Sequence, residues 1–128
     1  TGTMNADFNI SGHYVPMLRN STTQAFGSYN ASAVRASVNF TYDAWGVWSS
    51  IHSGSLISNS LNGGTAATYA TTTYNTTFDT FTLGSLAGPT VNQFMAGYWG
   101  EVLVYSRALS DAEAARVRAY LKQKWNTP

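Results

Sequence analysis

No cysteine occurs in this chain, so it has neither a disulfide framework nor a thiolate metal site. That absence leaves the compartment open, because disulfides are usual in small secreted animal domains and dispensable on bacterial and phage surfaces. Charge is scarce as well: 10% of the residues are Asp, Glu, Lys or Arg, and the net charge is +1. With no basic stripe to neutralise a phosphate backbone, nucleic acid is excluded as an expected partner. No apolar run approaches the roughly 20 residues that span a bilayer, so no membrane insertion is expected. Only two glutamates are present, Glu101 and Glu113. Glycosidases need two carboxylates facing one cleft, and on a strand that means acidic residues two or four apart. No such pair exists, and the chain reads as a non-enzyme.

The polar surface is built from Ser, Thr and Asn, and aromatics reach 14%. Thr and aromatic residues suit strands. Neutral hydroxyls and amides beside rings also suit neutral sugars, whose C–H faces stack on rings and whose hydroxyls need donors and acceptors. At 128 residues the chain is expected to be a single domain, 1–128, large enough to bury a core unaided. It opens on Thr1, as expected of a part processed or excised from something longer.

Turn signals recur every eight to twelve residues, the rhythm of an antiparallel sandwich. The candidate strands are Asp7–Ile10, Tyr14–Leu18, Gln24–Tyr29, Val34–Phe40, Trp45–Ile51, Leu56–Leu61, Thr65–Thr71, Phe78–Leu83 and Phe94–Tyr105. Val34, Ala36, Val38 and Phe40 alternate with Arg35, Ser37 and Asn39, which predicts one buried and one wet face. Asn62-Gly63-Gly64 is a turn, since both residue types accept positive φ. One helix is expected, from Ser110 to Trp125. Ser110 and Glu113 have capping-box spacing, and Ala114, Val117, Leu121 and Trp125 recur at three- and four-residue steps as an apolar stripe.

The stretch from Gly97 onward carries more than local propensity. Gly97, Glu101, Val102, Val104, Tyr105, Arg107, Leu109, Ser110 and Glu113 stand at the spacing of a closing strand followed by a capped helix. This segment resembles the C-terminal end of laminin-G-like, concanavalin A-like lectin/glucanase domains, which typically reads Gly-x-Ile-x-Glu-Val-x-Val-Tyr-x-Arg-x-Leu-Ser-x-x-Glu. Trp99 replaces the usual aliphatic residue. Leu61-Asn62-Gly63 and Phe81-Thr82-Leu83-Gly84 are similar to the family's strand ends, so the resemblance covers about half the chain. It implies an all-β, antiparallel jelly-roll β-sandwich with one C-terminal α-helix. It also implies a non-catalytic, lectin-like module for a glycan or polysaccharide at an extracellular, cell or virion surface. The alternative is a structural domain of a phage fibre, spike or capsid-decoration protein that uses the fold to contact other chains. Such domains usually carry more strands ahead of the one placed at Trp45, so this is a compact variant, an excised domain, or one completed by another segment. The family pattern further implies an ion pair between Glu101 and Arg107.

No cofactor and no metal are expected. His13 and His52 are isolated, and no Gly-x-Ser-x-Gly supports a catalytic serine. Calcium needs six to eight oxygen ligands, and Asp43 and Asp79 read more simply as strand boundaries. Asn-x-Ser/Thr triplets at Asn9, Asn20, Asn30, Asn39 and Asn75 are what a Ser/Thr-rich chain yields by chance. Trp99, Tyr105, Trp125 and Phe40 are expected in the core. Trp45 and Trp48, three apart on a regular strand, would face opposite sides. The densest candidate sugar platform is Tyr69, Tyr74, Asn75 and Asp79, with Trp48 as the outward indole; the plainer reading of each tyrosine is an ordinary sheet-surface residue.

Overall fold

The computed structural model describes residues 15–20, 24–30, 33–41, 44–70 and 98–128. These form two three-stranded antiparallel sheets and a helix. β1 (Val15–Asn20), β2 (Gln24–Asn30) and β3 (Ala33–Asn39) make the first sheet in that order. β4 (Trp48–Ser53), β5 (Leu56–Leu61) and β6 (Ala67–Ala70) make the second. The two sheets meet through β2 and β3 on one side and β4, β5 and β6 on the other. The described chain is therefore antiparallel β-structure closed by one C-terminal helix. The expected strands Asp7–Ile10 and Phe78–Leu83 lie outside the described residues.

Local chemistry accounts for the hairpins. Gly54, at φ +55°, takes the first of the two positions linking Ser53 to Leu56, where primed hairpin turns need positive φ. Asn62 and Gly63 follow β5 at φ +54° and +75°, and Gly64 N–H donates to the Leu61 carbonyl at 2.9 Å. Positive φ at both central residues is the type I′ geometry that Asn-Gly favours. Pro16 sits in β1, which pairs with β2 alone among the described strands, a place that tolerates a missing N–H.

β3 shows the expected alternation from Arg35 to Phe40, exposed and half-buried in turn. It also carries a bulge that the alternation did not announce. Phe26 pairs with Val38 and Ser28 with Arg35, so Gly27 faces two residues, Ala36 and Ser37. Ala36 lies at φ +49°, the left-handed region that glycine takes as the first residue of a G1 bulge and that an alanine occupies under strain. Its carbonyl accepts from Asn59 Nδ2 at 2.9 Å. Asn59 and Ile57, both on the central strand β5, are fully buried. The centre between the sheets is thus an amide beside an aliphatic side chain.

The helix, α1 (Asp111–Trp125), begins as its sequence requires. Ser110 Oγ accepts from Glu113 N–H at 3.4 Å, and Glu113 Oε2 accepts from Ser110 N–H at 2.9 Å. Asn126 ends it in the left-handed conformation, its N–H donating to the Lys122 carbonyl. Along the stripe Ala114 is buried, Val117 and Leu121 are half-buried, and Trp125 is 39% exposed.

The closing segment departs from expectation. No residue from Tyr98 to Tyr105 lies in a strand, and Trp99, Tyr105 and Trp125 are exposed instead of core. The reason is that this segment joins no ladder among the described residues. The face of an extended segment is covered only where another layer packs on it, and here the contacts run to the helix on one side. The Trp125 indole lies about 3 Å from where a Cβ on Gly100 would stand, so glycine makes room for the ring. The ion pairs are exchanged too. Arg107 forks onto Glu113 at 2.9 and 2.6 Å, while Glu101 takes Lys124 Nζ at 2.9 Å and Trp125 Nε1 at 3.2 Å. The expected Glu101–Arg107 pair is replaced because the helix brings other partners within reach of each side chain.

Candidate functional site

The residues before β4 do not enter the ladder. Trp45, Gly46 and Val47 run beside the Asn62 turn, to which they are tied twice. Val47 N–H donates to Asn62 Oδ1 at 2.8 Å, and Asn62 N–H donates to the Val47 carbonyl at 2.8 Å. Gly46 makes the approach possible, since a Cβ there would stand 2.8 Å from Leu61 Cδ1. Val47 is buried beneath the lead-in, and Trp45 is left 51% exposed above it.

This lead-in forms one wall of a notch of about 120 Å³. Phe40, Trp48 and Leu61 supply the floor and walls, with Trp45, Asn62 and Thr41 also lining it. Phe40 and Trp48 meet edge to face, centroids 5.0 Å apart at 80°, an arrangement that aromatic quadrupoles favour. Trp45 and Trp48 therefore line the same notch instead of facing opposite sides. The expectation assumed a regular strand through both, and Trp45 lies off the strand.

The sheet register places the other candidates. Trp48 pairs with Leu61, His52 with Ile57, and Ile57 with Tyr69. Paired residues share a face and alternate residues return to it, so Trp48, His52, Ile57, Asn59 and Tyr69 all project from one side. Asn59 binds Ala36 of the first sheet from that side, so Trp48 faces inward at the rim and is not the outward indole. The outward indole is Trp45. Tyr69 carries the Arg35 guanidinium 5.1 Å from its ring centroid, which occupies one stacking face. Trp48 and Tyr69 are separated by about 14 Å along the strands and about 10 Å across them, so they do not share a site. Tyr74, Asn75 and Asp79 lie outside the described residues.

Burial lowers the His52 pKa below its ordinary value, favouring the neutral ring, and Nε2 lies 3.2 Å from Ser50 Oγ. Hydrogen bonds from Lys124 and Trp125 lower the Glu101 pKa. Arg107 and the Ser110 backbone and hydroxyl groups hold Glu113 at about 2. Both carboxylates are thus engaged in anchoring the helix. Among the described residues no three His, Asp or Glu side chains cluster as a metal site requires, and no helix is long and apolar enough to cross a membrane.

Of the residues lining the notch, sequence reasoning singled out Trp48 and named neither Trp45 nor Asn62 as a candidate. The available signal was Trp-Gly-x-Trp ahead of an Asn-Gly turn: a glycine between two indoles permits a close approach that a regular strand would not. No family model, curated protein or solved structure matches this chain.

Proposed function

We propose that this chain is a non-catalytic carbohydrate-binding domain, its two meanders belonging to a jelly-roll sandwich of the laminin-G-like kind, displayed at a cell or virion surface. The observation that carries the reading is the notch: a half-exposed Trp45 among the lining residues Phe40 and Trp48, with Asn62 and Thr41 at hand. A sugar presents an apolar C–H face and a fringe of hydroxyls, and this pairing of indole with amide and hydroxyl answers both. Support for the fold comes from the Asn62-Gly63 turn and the Ser110–Glu113 capping box, which adopt the geometries that the family's sequence pattern uses.

The test is a glycan array probed with the purified domain, followed by titration of any hit against Trp45→Ala. Loss of one stacked ring removes about 1–1.4 kcal/mol, near a tenfold weakening. A domain that binds no glycan at millimolar concentration refutes the proposal.

A second reading, an assembly domain of a fibre or capsid, is favoured by a different observation. Tyr98, Val104 and Tyr105 form an exposed apolar segment, with Tyr98 at 87% exposure. Sedimentation of the purified chain separates the two readings. A symmetric oligomer with no glycan response supports assembly, and a glycan-binding monomer supports the lectin reading.

A further inference from the structure

We infer that the notch beside Trp45 selects the acetamido arm of an N-acetylated hexosamine, an inference that rests on the carbohydrate reading above. Size is the first argument. A pocket that encloses a whole small ligand runs to about 300 Å³ or more. This one has about 120 Å³. A notch below that size takes a side arm of a sugar and leaves the ring at its mouth. An acetamido group is four heavy atoms: nitrogen, carbonyl carbon, oxygen and methyl.

Chemistry narrows the arm further. The floor and walls are Phe40, Trp48, Leu61 and Trp45, which favour a methyl group over a hydroxymethyl or carboxylate, since a buried hydroxyl or charge without a partner is costly. One polar group of fixed orientation stands in that lining. Asn62 Oδ1 is committed to the Val47 N–H at 2.8 Å, so the amide is oriented by the backbone and its Nδ2 is the end left to donate. The acetamido carbonyl is the acceptor that such a donor requires. Thr41, also lining the notch, supplies a hydroxyl that can accept from the acetamido N–H. The half-exposed Trp45 ring is then placed to stack on the sugar from which the arm descends.

The experiment is a titration of the purified chain with N-acetylglucosamine, N-acetylgalactosamine, glucosamine and glucose, followed by NMR of the tryptophan indole N–H signals. The N-acetylated sugars should bind at least tenfold more tightly than glucose and glucosamine. Asn62→Asp keeps an oxygen for the Val47 N–H and a residue type that accepts positive φ, and removes the donor. It should abolish the tenfold preference, so that the variant binds the N-acetylated sugars no more tightly than it binds glucose. Equal binding of all four sugars to the unaltered chain overturns the inference and leaves the carbohydrate reading standing, as does a preference that survives in folded Asn62→Asp. Failure of every sugar to bind overturns both. The series on the unaltered chain decides the matter even where the variant does not fold.

Discussion

Replacing Asn59 by alanine removes the polar centre of the contact between the sheets. Asn59 is fully buried on β5, and its Nδ2 donates to Ala36 O at 2.9 Å across the interface. The hydrogen bond itself is worth about 0.5–1.5 kcal/mol net. The greater cost lies in what is left behind: the Ala36 carbonyl, turned out of the ladder by the bulge, loses this donor. Leaving this part-buried acceptor unpaired costs up to about 1–3 kcal/mol. That penalty already includes the lost bond, so the expected loss is about 1–3 kcal/mol, a sizeable share of the 5–15 kcal/mol of a typical domain. With a urea m-value of about 1–3 kcal/mol/M, the unfolding midpoint should fall on the order of 1 M. Ala36→Gly supplies the control. It relieves the left-handed strain at φ +49° without touching the donor, so it should leave stability unchanged or raise it by up to about 1 kcal/mol. A loss below about 0.5 kcal/mol in Asn59→Ala, under the net worth of one hydrogen bond, would refute the reasoning and mean that water, or another donor, satisfies the bulge.

Other expected outcomes concern the helix and pH. Ser110→Ala removes the acceptor for Glu113 N–H and should cost about 1 kcal/mol in a urea melt, with an unshifted midpoint counting against the cap. Leu121→Ala should cost about 1–2 kcal/mol, below the 2–5 kcal/mol range for buried leucines, because this side chain is half-buried; a loss within that upper range would show deeper packing. Stability should fall with acid in two stages. His52 has its pKa lowered by burial, so its contribution is complete above the ordinary value of 6.5 and declines as pH drops below it, a stage that His52→Gln should remove. Glu113, held at about 2 against an ordinary 4.5, contributes fully above 4.5 and loses that contribution as pH falls toward 2. Urea midpoints measured from pH 8 to 2 check both stages, and a midpoint that rises on acidification from pH 7 would contradict the His52 assignment.

The elements that the sequence determined by itself are those whose physics is local. Asn62-Gly63 turns because both residues accept positive φ, and the Ser110–Glu113 cap forms because its donors and acceptors lie within one helical turn. Leu56–Leu61 is a strand with the bounds its sequence indicates, and the Arg35–Phe40 alternation survives into the fold. Tertiary structure decided whatever depends on a distant partner. Trp45 and Trp48 line one notch because Trp45 precedes the strand, where Val47 is tied to the Asn62 amide fifteen residues away in sequence. Glu101 found Lys124 instead of Arg107 because the helix returns its last turn to the closing segment. Propensity alone could not make Tyr98–Tyr105 a strand, since a strand is defined by its neighbour's hydrogen bonds. The bulge at Ala36 belongs with these: nothing in Arg-Ala-Ser indicates it, and the carbonyl at the bulge meets the Asn59 amide of the opposite sheet.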